Sequence, residues 1–352
     1  MELDTIVQAN CIEWLSRQAE PFADLIFADP PFNIGYQYDV YEDRKAYHEY
    51  YHWTHLWMAA CRDALKPAGT FWIAIGDEYA AEIRMLGRKL GLTLRNWVIW
   101  HYTFGQATKA KFNRSHVHLF YFVMDPKAFT FNGDALRVFS DRQREYYDKR
   151  ANPAGKLPDD TWSGFPRVCG TFGEREGWHP CQMPETLLSR IVRACSNVGD
   201  VAFDPFSGSG TTLAAAKRLS RHWLGTELSP NYIQGVRDRL DRTDRLADLP
   251  VAKGFEPWPE PHVAELQALY MDESVSTDLL HEHRHLLEAF VAHFNQRLPS
   301  AGVRGEYSVR DVWDELERLR RDVKLGRIKV HADETSVRRN PRKPVRRLFD
   351  QK

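Results

Sequence analysis

No two of the five cysteines stand close enough to form a CxxC pair; Cys11, Cys61, Cys169, Cys181 and Cys195 are scattered along the chain. An odd, dispersed set argues against a disulfide framework and against a sulfur-ligated zinc site, and for reduced thiols. Neither sign of charge is in excess, since 48 Lys and Arg balance 48 Asp and Glu. That speaks against a protein that coats nucleic acid indiscriminately. A local basic groove stays open, because steering depends on where charge lies. No apolar run is long enough to span a bilayer, and the opening MELDTIVQANCIEWL has no basic segment ahead of an apolar one. The expectation is a soluble cytoplasmic protein without a membrane partner. No internal repeat is visible.

What is present is core material. The 352 residues are 43% hydrophobic and 27% charged, and they carry eleven Trp and fourteen Tyr that can pack or stack on bases. Short apolar runs at 4–9, 24–29, 69–77, 94–102, 118–124, 200–206 and 222–228 read as buried strands. Helical spacing fills 44–66, 78–90, 183–197 and 211–220. Strands alternating with helices predict an α/β fold with a mostly parallel sheet. The rhythm breaks between 126 and 178, a Gly-, Pro- and charge-rich stretch too long for a simple connection. A proline-bearing segment near 245 reads as a linker or a wrapping segment. Beyond it lie helical patterns at 274–297 and 308–323, then a basic tail, RRNPRKPVRR, at 338–347.

Two stretches carry chemistry. In FADPPFNIG (27–35) an apolar strand ends in Asp29-Pro30-Pro31-Phe32. Ligands of open α/β sheets bind at the carboxyl ends of strands, and paired prolines stiffen the turn. The Asp29 carboxylate, a backbone carbonyl and the Phe32 ring suit a planar group bearing an NH2. A strand end closed by Pro-Pro would read the same way. In VAFDPFSGSGTTLAAAKRL (201–219) a strand ends in Asp204, followed by Gly208-Ser209-Gly210 and a helix from about Thr211. Glycines let the backbone approach a ligand, and a helix N-terminus offers free N–H groups. Glu227 ends the next strand, about 20 residues on, where a ribose hydroxyl would be gripped. Position 213 is Leu where GxGxxG needs its third glycine. This disfavours a nicotinamide dinucleotide and leaves other adenosine-bearing ligands.

The Asp-Pro-Pro-Phe box, the FSGSGTT loop and HPCQMPETLL (179–188) together resemble motifs IV, I and X of the DNA amino-methyltransferases. Their order, with the catalytic box first, resembles the permuted β group. The resemblance covers roughly residues 4–240. It implies a Rossmann-like S-adenosylmethionine-dependent methyltransferase sheet with an inserted target-recognition region and a mainly helical C-terminal extension. The catalytic half would be 1–125, the insert 126–177, the cofactor half 178–243 and the extension 244–352.

It also implies roles. Asp29 and the Pro30 carbonyl would accept from the target amino group, Pro31 would fix the turn, and Phe32 would stack on a base flipped out of double-stranded DNA. Asp204, Phe206, Ser207, Gly208, Ser209, Gly210, Thr211 and Thr212 would cradle S-adenosylmethionine, with Glu227 on the ribose. Asn10 would lie near the adenine, and Asp29, Asn33 and Cys181 would border the cofactor. The family usually has Thr-Gln-Lys-Pro where this chain reads Cys181-Gln182-Met183-Pro184, so one polar contact is missing. Asp rather than Ser at the head of the box favours adenine N6 over cytosine N4. A homodimer is compatible with the β group.

Pro180-Cys181-Gln182 also resembles the nucleophile turn of carbon-5 cytosine methyltransferases. Cys181 precedes a helix rather than following a central strand, and no Glu-Asn-Val triplet accompanies it, so it is read as part of the cofactor pocket. For DNA contact, Lys109, Lys111 and Arg114 surround Phe112 on a basic loop that would grip phosphates or be merely solvated. Arg137, Arg142, Arg144 and Arg150 in the insert would read guanines or touch phosphate. The aromatic run 35–53 is either a loop closing over the base or a helix with a packed face. In HEHRH (281–285), His281 and His285 would share a helical face, without a third ligand, and no metal is expected. Three other readings stay open: a cytosine-N4 enzyme, a non-catalytic DNA-binding module and a nicotinamide-dependent oxidoreductase.

Overall fold

The computed structural model describes residues 1–322 and 325, apart from 107, 147, 149, 171, 172, 254 and 255. The basic tail expected at 338–347 lies outside the described residues. Eight strands make one sheet: β1 (Thr5–Gln8), β2 (Ala23–Ala28), β3 (Leu65–Ile75), β4 (Thr93–Gln106), β5 (Arg114–Val123), β6 (Thr161–Trp162), β7 (Val201–Asp204) and β8 (His222–Glu227). The helices are α1 (Cys11–Leu15), α2 (Tyr47–Ala64), α3 (Ala80–Lys89), α4 (Asp141–Arg144), α5 (Glu185–Cys195), α6 (Thr211–Arg218), α7 (Pro230–Asp241), α8 (Glu260–Glu273), α9 (Thr277–Glu282), α10 (Arg284–Arg297) and α11 (Val309–Arg321).

The sheet order is β1-β8-β7-β2-β3-β5-β4-β6. Only β5 runs against its neighbours, β3 and β4; the remaining pairings are parallel. Alternation along β2 sends Leu25 and Phe27 to one face and Ile26 and Ala28 to the other. The second face is covered by Trp57, Met58 and Cys61 of α2 and Ile83 and Leu86 of α3. The first is covered by Leu187, Leu188 and Ile191 of α5 and Leu213 to Ala216 of α6.

The C-terminal helices continue that first face. Leu266, Leu269, Phe290, Phe294, Leu316 and Leu319 bury in the same cluster. Buried charges hold them: Arg193 and Arg190 of α5 pair with Glu265 at 2.5 Å and Asp272 at 3.1 Å of α8, and Arg297 of α10 pairs with the same Asp272 at 2.8 Å. The insert joins them, since the Phe139 N–H donates to Glu273 at 2.5 Å, and Ala154 and Glu273 both bond His293.

Two expectations are corrected here. A helix ahead of 274 was not expected: α8 starts in the last residues of the proline-bearing segment, and its Pro261 falls in the first turn, where a missing N–H costs nothing. The pattern at 274–297 is two helices, because His283 leaves helical geometry at φ −124° and ψ 85°. His281 and His285 therefore share no helical face, and the His281 ring stacks on Trp313, 5.4 Å away.

Candidate active site

β2 and β7 lie side by side, with Leu25 opposite Ala202 and Ile26 opposite Phe203. From β2 the chain builds outward through β3, and from β7 it builds the other way through β8 and β1. This is the switch point at which open sheets form ligand crevices. It brings Asp29, just past β2, beside Asp204, the last residue of β7. A cavity of about 470 Å³ opens over them, within the range of about 300–1,000 Å³ usual for small-molecule sites. Asp29, Pro30, Pro31 and Phe32 line it, as do Asn10, Cys181, Asp204, Phe206, Ser207, Gly208, Ser209, Thr211, Thr212 and Glu227.

The cofactor-loop side is built on backbone. Ser207 N–H bonds the Thr226 carbonyl at 3.1 Å. Gly225 makes that approach feasible, because a Cβ there would sit 2.2 Å from Ser207 Oγ. Glu227 is fixed at its strand end: Oε2 accepts from Gly208 N–H (2.9 Å), and Oε1 from Leu228 (2.8 Å) and Ser229 (3.0 Å). Gly210 is the N-cap of α6, at φ +71°, and supplies no side-chain cap. The first N–H groups of the helix therefore face the loop open to an acceptor. Gly210 itself makes the turn and does not reach the wall; a Cβ there would meet Val236 at 2.7 Å. Asn10 lines the cavity while its Oδ1 caps α1 through Ile12 N–H at 2.9 Å.

On the Asp29-Pro30-Pro31-Phe32 side, the Tyr50 hydroxyl donates to the Pro31 carbonyl at 2.6 Å. Gly76 lies against Phe32, with a would-be Cβ 3.3 Å from the ring. Asn33 is a correction. Its side chain is spent on the following loop, bonding Lys45 N–H (2.7 Å), the Lys45 carbonyl (2.9 Å) and the Tyr79 hydroxyl (2.8 Å). With φ +58° it turns the chain, and it is absent from the cavity wall.

Electrostatically the cavity floor is a set of crowded carboxyls. Burial, then Asp204, pushes Asp29 up to about 8. Burial pushes Asp204 up to about 7 against hydrogen bonds from Thr212 and Phe206, and it raises Glu227 as well. Such a floor favours a cationic ligand, which would relieve all three. The Cys181 thiol is raised too, first by burial and then by Asp29, which is the reverse of what a nucleophile requires. His179 is held neutral, its pKa lowered to about 4 by burial, and packs on the Tyr232 ring at 4.7 Å. His179, Tyr50, Tyr36, Tyr38 and Tyr232 were not singled out from sequence. The aromatic run and the HPCQ stretch contain four of them, but spacing alone cannot tell a wall from a core.

The N6/N4 DNA methylase family matches residues 23–238. The chain belongs to this family. It is 35% identical over 237 residues to the Type II methyltransferase M.HpaI of Haemophilus parainfluenzae, covering 67% of this chain and 74% of that one. It is 36% identical over 248 residues to the DNA adenine methyltransferase YhdJ of Escherichia coli, covering 68% and 83%. Among solved structures it superposes on the TTHA0409 protein of Thermus thermophilus, solved with S-adenosyl-L-methionine, at TM-score 0.50, 26% identity and coverage of 68% and 93%. It also shares a fold with the cytosine-N4-specific PvuII DNA methyltransferase, at TM-score 0.54, 18% identity and coverage of 66% and 85%.

In this DNA methylase the cations expected to meet DNA are dispersed. Lys109 and Lys111 are exposed beside Phe112, which is 99% exposed in the connection from β4 to β5. Arg114 is a correction: it turns inward, lines the cavity, and is neutralised by Asp77 at 2.8 Å and by Glu78. Arg137, Arg142 and Arg144 pair with Asp134, Asp148 and Asp141 at 2.7–2.8 Å, and none of them lines the cavity. Arg167, not anticipated, does line it, above the Tyr102 ring at 5.8 Å.

Proposed function

We propose that the chain transfers a methyl group from S-adenosylmethionine to N6 of a flipped adenine in double-stranded DNA. The observation that carries this reading is the meeting of the Asp29-Pro30-Pro31-Phe32 box with Asp204 and Glu227 in one cavity. When bound, S-adenosylmethionine supplies an electrophilic methyl on a sulfonium for direct displacement by the amino nitrogen. The residues around it position and polarise. Glu227, with both oxygens oriented by backbone N–H groups, presents its remaining lone pairs to ribose hydroxyls, and the Gly208 turn admits the ligand closely. Asp29 and the Pro30 carbonyl accept the two amino hydrogens; the neighbouring Pro31 carbonyl is already engaged by Tyr50. Holding both hydrogens in place localises the nitrogen lone pair, and Asp29 stands ready to take the proton released. Phe32 supplies the stacking face. Catalysis is orientation plus preorganised electrostatics, and Cys181 takes no covalent part.

Asp rather than Ser at the head of the box supports adenine, as does the likeness to an adenine methyltransferase. The fold shared with a cytosine-N4 enzyme keeps that base as the second reading. Residues 126–177 are proposed as the target-recognition region, with Lys109 and Lys111 as phosphate contacts. Nucleoside mass spectrometry of DNA treated with the protein and S-adenosylmethionine should show N6-methyladenine. N4-methylcytosine instead would overturn the base assignment. Asp29→Ala should lower kcat by about 10²–10³ while cofactor binding persists, and an active Asp29→Ala would refute the catalytic assignment.

A further inference from the structure

The loop between the catalytic box and α2 is built as a strap. Its base closes on itself. Asp43, 2% exposed, accepts from the N–H groups of Asn33 (2.7 Å), Ile34 (3.1 Å) and Tyr36 (3.0 Å). The Gly35 N–H donates to the Asp43 carbonyl at 2.7 Å, and Asn33 ties to Lys45. The shape of 33–45 therefore does not depend on what lies beneath it.

The tip of the strap crosses to the opposite half of the site. There the Asp39 carboxylate accepts from Ser229 Oγ and from Asn231 Nδ2 at 3.1 Å, and the Asp39 N–H donates to the Tyr232 hydroxyl at 3.3 Å. These partners sit directly behind Glu227, on the turn into α7. Between base and tip, Tyr36, Tyr38, Val40 and Tyr41 form one wall of the cavity. Tyr38 faces His179 at 6.5 Å, and Tyr41 faces Trp53 at 5.9 Å. The strap is thus a self-supporting loop held across the cavity by the hydrogen bonds of exposed Asp39 at its tip and by Tyr36 and Tyr38, which bond the Cys181 side chain. Lifting it breaks those bonds and leaves the sheet core untouched. Asn33 at φ +58° and Gly35 at φ +80° lie at its root.

We propose that Asp39 latches this strap over the cofactor cavity, and that release of the latch sets the rate at which bound S-adenosylmethionine leaves. The proposal rests on the cofactor reading above. Asp39 is a positioning residue: it touches the α7 turn and holds the tyrosines that wall the cavity. A carboxylate accepting from a hydroxyl and an amide makes charge-assisted bonds, stronger than neutral ones, so the latch is selective for closure while remaining exposed to water.

Stopped-flow Tyr and Trp fluorescence on the full chain, with S-adenosylmethionine as the probe, tests it. Asp39→Ala should raise the cofactor off-rate about tenfold, equivalent to about 1.4 kcal/mol. KM for the cofactor should rise in parallel, while kcat at saturating cofactor stays near the wild-type value. Asn231→Ala, which removes one exposed arm, should raise the off-rate less. It decides the matter should Asp39→Ala fail to fold. Wild-type off-rates in both folded variants would overturn the latch, as would a fall in kcat with KM unchanged. A wild-type chain that binds no S-adenosylmethionine would overturn the cofactor reading itself, a result distinct from either.

Discussion

Cofactor binding should expel a proton, and its amount follows from the cavity floor. In the free protein Asp29 is raised to about 8 and Asp204 to about 7, each by burial first. The two carboxyls neighbour one another, so they titrate as a pair. Between those values, near about pH 7.5, the pair holds about one proton. A positive charge within reach lowers a carboxyl pKa by about 1–3, which empties the pair in that window. Binding of S-adenosylmethionine near pH 7.5 should therefore release up to about one proton, fading toward both acid and alkaline extremes. Titration calorimetry in buffers of different ionisation heat measures this directly. Asp204→Asn, which removes the neighbour, should cut the release.

The same groups give a stability signature with a definite sign. Folding raises both values above the ordinary 3.8, so it favours the neutral carboxyls. Their contribution is whole below about pH 4 and is lost as pH rises through about 7 and 8. The cofactor-free protein should lose thermal stability across that window, and added S-adenosylmethionine should restore more at its alkaline end. A binding heat independent of buffer between pH 7 and 8 would refute the argument, because the carboxyls would then be ionised before the cofactor arrives.

Cys181→Ser should keep methyl transfer and weaken the cofactor only modestly, and no covalent DNA adduct should survive denaturing electrophoresis of the wild type; loss of activity together with a trapped adduct would restore the nucleophile reading. Arg193→Ala strips one of the two buried partners of Glu265, the other being Arg297 at 2.6 Å, and should cost up to about 3–5 kcal/mol in urea unfolding, while Arg193→Met should cost less. A small loss for Arg193→Ala would show that the C-terminal helices are not anchored through α5.

Seven of the eight strands were legible because each is a short apolar run bounded by turn residues, a pattern with one interpretation once helices alternate with it. β6 escaped because two residues, Thr161 and Trp162, carry no period. The walls of the cavity were legible where the chemistry demanded a residue type: a carboxylate at a strand end, glycines at a tight turn. Asn33 was misplaced because adjacency to the catalytic box says nothing about direction. Its φ of +58° turns the side chain to the strap, and only the backbone reveals that. Arg114 was misplaced for a related reason. A basic loop looks like a phosphate clamp until Asp77 and Glu78, from the end of β3, are seen to neutralise it. The aromatic run 35–53 divides, since 35–46 is a loop whose Tyr36, Tyr38 and Tyr41 line the cavity and the helix α2 begins at Tyr47.

The distance along the chain between Asp29 and Asp204 leaves the crevice intact because adjacency in the sheet, not order along the chain, creates it. Asp29 and Asp204 are separated by the insert and by α5, yet β2 and β7 pair in register, and the two carboxyls end up sharing one desolvated floor. Any connection that delivers those two strands side by side, parallel and pointing the same way, reproduces the crevice. The intervening chain is then free to specialise. Here the free segments do two jobs. Residues 126–177 pack with the C-terminal helices against α5, where buried ion pairs fix them. The strap after the box instead bonds across the crevice to the turn behind Glu227. The loop after β2 thus meets the turn behind Glu227 through Asp39, and this contact between the two sides of the crevice follows from the fold rather than from either motif alone.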